Sequence, residues 1–135
     1  MQPSAFSARI LVVDDEPLVR TTLAALLQAV GHTVLEAPDG PTAVAELAAA
    51  PVDLVLTDLG LPGMTGEEVA QAVKERHPGL PVVLLTGFVD RALRERRPHG
   101  PVDRVLGKPV RLADLLAVIA DLCPAENVVP MTAPN

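Results

Sequence analysis

Aromatic side chains are almost absent from this chain of 135 residues, which has two phenylalanines and neither tryptophan nor tyrosine. Nearly half of its residues are nonetheless hydrophobic, so we expect one core built from Val, Leu, Ile and Ala. Stacking of bases on aromatic rings, a common device of single-strand nucleic-acid binders, has almost no residues to use. The formal net charge of −6 also argues against general affinity for nucleic acid or anionic membranes.

Cysteine and long apolar runs are scarce as well. Cys123 is the single cysteine, which excludes an internal disulfide and favours a reducing compartment. No apolar run approaches the roughly 18 residues that a membrane span needs, and the first residues lack the pattern of a signal peptide. We therefore expect a cytoplasmic protein with no membrane partner and no direct nucleic-acid partner.

The sequence does contain short apolar runs that alternate with helical patterns. Five runs rich in β-branched residues and leucine predict strands buried on both faces of a sheet, at residues 10–13, 33–35, 54–56, 82–85 and 105–106. The helical patterns lie between Pro17 and Gly31, at residues 42–49, 66–76 and 90–97, and around residues 112–119. This alternation predicts an α/β fold: a doubly wound, five-stranded parallel sheet with helices on both faces.

The same patterns predict the buried face of the first helix and the extent of the domain. The first helix has one apolar face, formed by Val19, Leu23, Leu26, Leu27 and Val30. No internal repeat or linker is visible, so residues 9–122 are expected to form one domain between two tails, at residues 1–8 and 123–135.

Polar side chains follow four of the predicted strands. Asp14 and Asp15 follow the first, Asp58 the third, Thr86 the fourth and Lys108 the fifth. Ligands of open α/β sheets bind outside the carboxyl ends of the strands, at the point where the strand order reverses. We therefore expect these five residues to meet at one edge of the sheet.

Three carboxylates gathered at one edge would repel one another. Two unit charges about 4 Å apart cost about 4 kcal/mol at an effective dielectric constant near 20. A bound cation relieves this repulsion, and an oxygen-only, partly open site suits Mg²⁺. A carboxylate beside a metal ion, a lysine and a hydroxyl group is in turn a plausible nucleophile for phosphoryl transfer.

Simpler interpretations exist for the same residues. Asp14 and Asp15 could cap the first helix, and Asp58 could be an ordinary turn residue. The three histidines, at positions 32, 77 and 99, stand beside glycine or proline and are interpreted as solvated loop residues. Cys123 is interpreted as a partly buried apolar group. The charge is uneven, with seven basic residues against three acidic ones between Asp90 and Arg111. The arginine cluster from Arg91 to Arg97 is interpreted as a solvated face, with a docking surface for an acidic partner as the alternative.

Four segments resemble the signature blocks of response-regulator receiver domains, and they occur in the same order. They read VVDDEP, LTDLGLPGMTG, LLTG and LGKP, and the resemblance extends over about residues 9–122. It implies a flavodoxin-like (βα)5 receiver fold. It also implies that Asp58 is the phosphoacceptor and that Asp15, Asp58 and the backbone carbonyl of Gly60 bind Mg²⁺. Asp14 would act mostly through a metal-bound water.

The resemblance further implies that Thr86 and Lys108 bind the phosphoryl oxygens and that the Lys108-Pro109 bond is cis. The phosphoryl donor would be a sensor histidine kinase or a histidine phosphotransfer protein. One position departs from the family pattern: three residues before the lysine, where an aromatic is usual, this chain has Val105. An aromatic switch is thus in doubt. We expect instead that phosphorylation shifts or orders a helix at residues 90–97, from Asp90 to Arg97, and so re-presents its arginines to an acidic partner.

Alternative functions are compatible with the same sequence. The domain could be a module of a hybrid histidine kinase or of a larger regulator. It could be a small Mg²⁺-dependent phosphohydrolase with an aspartyl-phosphate intermediate, although such enzymes usually carry Asp-x-Asp after the first strand and a cap domain. It could also be a degenerate receiver that only binds proteins, against which the intact acid set argues. The leading prediction is a phosphoaccepting signalling domain rather than an enzyme.

Overall fold

A computed structural model of the chain describes residues 7–87 and 101–123. Its elements alternate along the chain as β1 (Arg9–Val13), α1 (Pro17–Ala29), β2 (Thr33–Ala37), α2 (Gly40–Ala49), β3 (Leu54–Asp58), α3 (Gly66–Arg76), β4 (Val82–Thr86), β5 (Arg104–Gly107) and α4 (Leu112–Leu122). The five strands form one parallel sheet in the order β2-β1-β3-β4-β5. The predicted doubly wound parallel sheet is therefore confirmed. Its strand order reverses beside β1, which puts the topological switch point between β1 and β3.

The sheet separates two apolar layers. Successive residues of a strand point to opposite faces, so Leu11 and Val13 of β1 join one layer while Ile10 and Val12 join the other. The first layer is completed by buried residues of α2 and α3, and the second by buried residues of α1 and α4. Burial on both faces explains why the central strands are continuous apolar runs.

Helix α1 buries a narrower face than the sequence predicts. Its buried residues are Leu23, Ala24 and Leu27. Leu26 and Val30, which the sequence assigns to the same face, are 36% and 43% exposed. Leu26 lies at the margin of the buried stripe, and Val30 lies beyond the end of the helix, as its C-cap.

The described residues do not test the predicted domain bounds or one of the predicted helices. The domain bounds 9–122 stay a prediction, and the helix predicted at residues 90–97 lies outside the described residues. Two residues assigned to the tails, Ala8 and Cys123, are buried and pack with the layer beneath α1 and α4. Burial, with a further contribution from the Asp53 charge, raises the pKa of the Cys123 thiol to about 11, so this cysteine is protonated at neutral pH.

The interpretation of His32 as a solvated loop residue is wrong. Its side chain is buried, and its Nδ1 accepts a hydrogen bond of 3.0 Å from the backbone N–H of Ala8. Burial lowers its pKa, which favours the neutral imidazole that this bond requires. Sequence reasoning missed this because the partner lies 24 residues away along the chain. His77 is exposed at the end of α3, as predicted, and His99 lies outside the described residues.

Candidate phosphoryl-acceptor site

The predicted polar residues lie at one edge of the sheet. Asp58 and Thr86 are the last residues of β3 and β4, and Asp14 directly follows β1. The register pairs Asp58 with Leu85, and Thr86 with Gly107, which precedes Lys108. Oxygen atoms of Asp14, Asp15 and Asp58, one from each carboxylate, lie within 4.8 Å of one another. Segments that are distant in sequence thus bring the acids together.

Lys108 joins two of these acids. Its Nζ lies 2.9 Å from Asp14 Oδ2 and 2.9 Å from Asp58 Oδ1. Burial alone would lower the pKa of the ammonium group, but the hydrogen bonds and charges of Asp58 and Asp14 outweigh it and raise that pKa. Lys108 therefore stays charged at neutral pH. Its backbone N–H donates to Thr86 O at 2.7 Å, and the Lys108-Pro109 bond is cis, as the family resemblance implies.

Asp14 and Asp15 differ in their surroundings. Asp14 is 1% exposed, and its Oδ1 accepts a hydrogen bond of 2.9 Å from the backbone N–H of Glu16. Asp15 is exposed. Helix α1 begins at Pro17 with Glu16 as its N-cap, and no side chain caps it. The alternative interpretation of the two aspartates as helix caps is therefore wrong.

The chain after β3 is held by a close backbone contact. Gly66, the first residue of α3, donates its N–H to Leu59 O at 2.8 Å. A Cβ at Gly66 would lie 2.3 Å from the carbonyl oxygen of Asp58 and 2.7 Å from Leu84 Cδ1. Thr65 and Glu68 form a capping box at the same helix end. The absence of a side chain at Gly66 therefore lets α3 start directly against the Asp58 backbone.

Gly66→Ala is expected to destabilise the domain by about 1–3 kcal/mol, because the added methyl group overlaps backbone that cannot move freely. Gly79→Ala is the matched control, since a Cβ at Gly79 meets nothing within 4 Å. Urea unfolding followed by circular dichroism measures both variants. Equal stability of the two would show that the contact at Gly66 relaxes without cost.

Two further positions of the predicted set are less enclosed. Gly60 is exposed in the connection after β3, and a Cβ there would meet nothing within 4 Å. Val105, at the usual aromatic position, is partly buried against the apolar layer beneath α2 and α3. Its side chain is thus a packing group of β5.

Sequence reasoning missed Arg20 and Glu36. Arg20 of α1 donates from Nη1 to the backbone carbonyl of Asp14 at 2.8 Å and from Nε to Glu36 Oε1 at 3.1 Å. Glu36 lies on β2. An arginine one turn into the helix that follows the acids was a visible signal, but its partners become evident only in the folded chain.

Comparison with known proteins settles the family. A model of the response regulator receiver domain matches residues 10–120. The chain belongs to this family. It is a receiver domain of the kind found in two-component systems, and the resemblance drawn from its four sequence blocks is confirmed.

Individual relatives and solved structures agree with this assignment. The response regulator receiver protein CpdR of Brucella abortus is 34% identical over 80% of the chain, which covers 90% of CpdR. The sensor histidine kinase RcsC of Salmonella typhi is 35% identical over 82% of the chain, which covers 12% of RcsC. The structure of TrrA from Thermotoga maritima in complex with Mg²⁺-BeF is 31% identical, with a TM-score of 0.76, over 84% of the chain and 97% of TrrA.

Several relatives are much longer than this chain. The chain spans between 16% and 43% of the first curated relatives that it matches. Receiver domains therefore occur both in short regulators and as parts of longer proteins.

Within residues 7–87 and 101–123, no helix is both long and apolar enough to cross a bilayer.

A groove lies beside the acidic site. Its walls are α1 on one side and the chain around Lys108 on the other, and it encloses about 460 Å³. Leu18, at the rim, is 79% exposed, the most exposed large apolar residue of the described part of the chain. The lining residues are Leu18, Val19, Thr22, Leu23, Leu26, Gly87, Lys108, Pro109 and Val110.

Proposed function

We propose that this receiver domain accepts a phosphoryl group on Asp58 in a reaction that requires Mg²⁺. The observation that carries the proposal is the convergence of three carboxylates within 4.8 Å of one another, with the Lys108 ammonium 2.9 Å from Asp58. The direct test is incubation with Mg²⁺ and acetyl phosphate, followed by mapping of the phosphoryl group by mass spectrometry. Absence of any label under these conditions would contradict the proposal.

The donor set fits a hard divalent cation. Three carboxylates carry three negative charges, and Lys108 offsets one of them. Mg²⁺ prefers oxygen ligands and is usually held by one or two carboxylates, several waters and phosphate oxygens. We assign direct binding to Asp15, Asp58 and the Gly60 carbonyl, and binding through a water to Asp14. When bound, Mg²⁺ neutralises negative charge on the transferring phosphoryl group.

Three side chains of this domain have separate roles in the phosphoryl transfer. A carboxylate oxygen of Asp58 attacks the phosphorus of a phosphohistidine, the P–N bond breaks, and the histidine nitrogen keeps the electron pair. The product is an aspartyl phosphate. Lys108 and the Thr86 hydroxyl group bind the phosphoryl oxygens, since Thr86 ends the strand next to Asp58 and Lys108 follows the strand beyond it, at the same sheet edge. The lysine acts as a point charge that needs no proton transfer.

We assign the phosphoryl donor to a sensor histidine kinase or a histidine phosphotransfer protein. The groove between α1 and the chain around Lys108 supports docking of an amphipathic helix there, because it is apolar and borders the acidic site. A histidine on that helix would then face Asp58. Leu18 is the exposed anchor of this surface.

Leu18→Asp is expected to slow phosphotransfer from a donor protein by about tenfold or more, because a charge replaces an apolar anchor. Labelling by acetyl phosphate should stay unchanged, since the acids are untouched. Val30→Asp is the control: Val30 is also exposed but does not line the groove. The measurement uses any histidine phosphotransfer protein that labels the wild-type domain. Equal slowing by both variants would place docking elsewhere.

The chain could act alone, as CpdR's length suggests, or as a module of a hybrid kinase or larger regulator, as the match within RcsC suggests. The phosphohydrolase alternative is less favoured, because the family is a signalling family.

The proposed acidic partner would bind residues 90–97, which lie outside the described residues. At the position where the family usually has an aromatic residue, this chain has Val105, which packs against the apolar layer beneath α2 and α3. We therefore propose that phosphorylation is signalled to a partner without an aromatic rotamer change.

A further inference from the structure

Arg20 bridges the carboxyl ends of two neighbouring strands from its place on α1. Its Nη1 donates to the backbone carbonyl of Asp14 at 2.8 Å, and its Nε donates to Glu36 Oε1 at 3.1 Å. The Arg20 side chain is 17% exposed, against 36% for Glu36. The guanidinium group is thus largely enclosed and held in one orientation by two acceptors.

The carbonyl that Arg20 binds belongs to the peptide unit between Asp14 and Asp15. That unit is planar, so fixing its oxygen also fixes the direction in which the chain continues to Asp15. The other polar groups of Asp14 are bonded too: its N–H donates to Ala37 O, its Oδ1 accepts from Glu16, and its Oδ2 accepts from Lys108. Asp15 itself is exposed and so gains little orientation from packing.

We propose that Arg20 is a positioning residue that sets the spacing of the carboxylates and thereby the affinity of the site for a divalent cation. This inference rests on the proposed function of the acidic site. An arginine suits the task because its planar fork makes two bonds in fixed directions, whereas a lysine offers one terminal nitrogen. Glu36 orients the fork and offsets a positive charge that would otherwise oppose cation binding.

The test is titration of the full chain with Mg²⁺ by calorimetry, since the protein has no tryptophan to report binding. Arg20→Lys and Arg20→Met are both expected to weaken Mg²⁺ binding by roughly tenfold, the lower end of the range for residues that orient metal ligands. In metal-free protein, the Asp15 and Glu16 amides should exchange hydrogen faster in Arg20→Lys. Arg104→Lys is the matched control. Arg104 is the first residue of β5 and forms an ion pair with Asp121, so this variant should leave the Mg²⁺ affinity and the amide exchange unchanged.

Other outcomes would overturn the inference. If Arg20 acted only through its charge, Arg20→Met would tighten Mg²⁺ binding and Arg20→Lys would leave it unchanged. If Arg20 only stabilised the fold, the melting temperature would fall in both variants with the Mg²⁺ affinity unaltered. A wild-type domain that does not bind Mg²⁺ overturns the proposed function and this inference with it. Equal Mg²⁺ affinities of the wild-type domain and Arg20→Lys overturn this inference alone.

Discussion

Asp58→Asn is expected to abolish labelling by acetyl phosphate, with a loss of about 100-fold or more. The amide that replaces the carboxylate is nearly the same size, so the fold should persist, but it is a poor nucleophile towards phosphorus. Asp58 is the last residue of the buried strand β3, and Lys108 Nζ lies 2.9 Å from its Oδ1. Initial labelling rates by mass spectrometry, with circular dichroism to verify folding, measure the effect.

The control for this experiment is Asp114→Asn. Asp114 is an exposed carboxylate in the first turn of α4 and lies outside the acid cluster. In this variant, Asp58 should be labelled at the wild-type rate. Stoichiometric labelling of Asp58→Asn at the native rate would place the phosphoacceptor on another residue.

Asp15→Ala is expected to weaken Mg²⁺ binding by more than about tenfold and to slow labelling in parallel, because a direct carboxylate ligand is lost. Its exposure makes a purely structural effect small, so the melting temperature should change little. Asp14→Ala should weaken Mg²⁺ binding somewhat less, since its contact with the ion passes through a water. Calorimetric titration and labelling rates at several Mg²⁺ concentrations measure both variants.

Glu16→Gln is the control for the loss of one negative charge. Glu16 is exposed and adjacent to Asp15, but it does not belong to the acid cluster. The affinity of this variant for Mg²⁺ should stay within about fivefold of wild type, because an exposed charge that does not bind the ion directly contributes no more than about 1 kcal/mol. Full labelling of the wild-type domain in excess chelator would refute the requirement for a metal.

The parts of the fold that the sequence predicts best are those governed by local pattern. Helix α3 lies over the predicted residues 66–76, because Thr65 and Glu68 form its capping box and Pro78 follows its end. The predicted strands are too short by up to two residues: β2 continues to Ala37, and β5 begins at Arg104. Parallel pairing, rather than hydrophobicity alone, sets these ends, since the backbone of a polar residue pairs as well as any other.

Two predictions from local pattern are wrong, for different reasons. Leu26 is exposed because it lies at the margin of the buried stripe of α1. His32 is buried although glycine precedes it in sequence, because a distant segment of the chain packs against it. The bond from Ala8 to His32 joins residues 24 positions apart.

By itself, the sequence determined the fold class and the residue types of the site, since apolar runs of strand length and the acids, threonine and lysine that follow them can be counted directly. Only the tertiary structure decided the distances: that Lys108 contacts Asp14 and Asp58 together, and that Arg20 binds the Asp14 carbonyl. The physical reason is that strand order and register set which side chains meet at the edge of a parallel sheet. Strand order and register depend on how the two apolar layers pack, and no short window of sequence determines that packing.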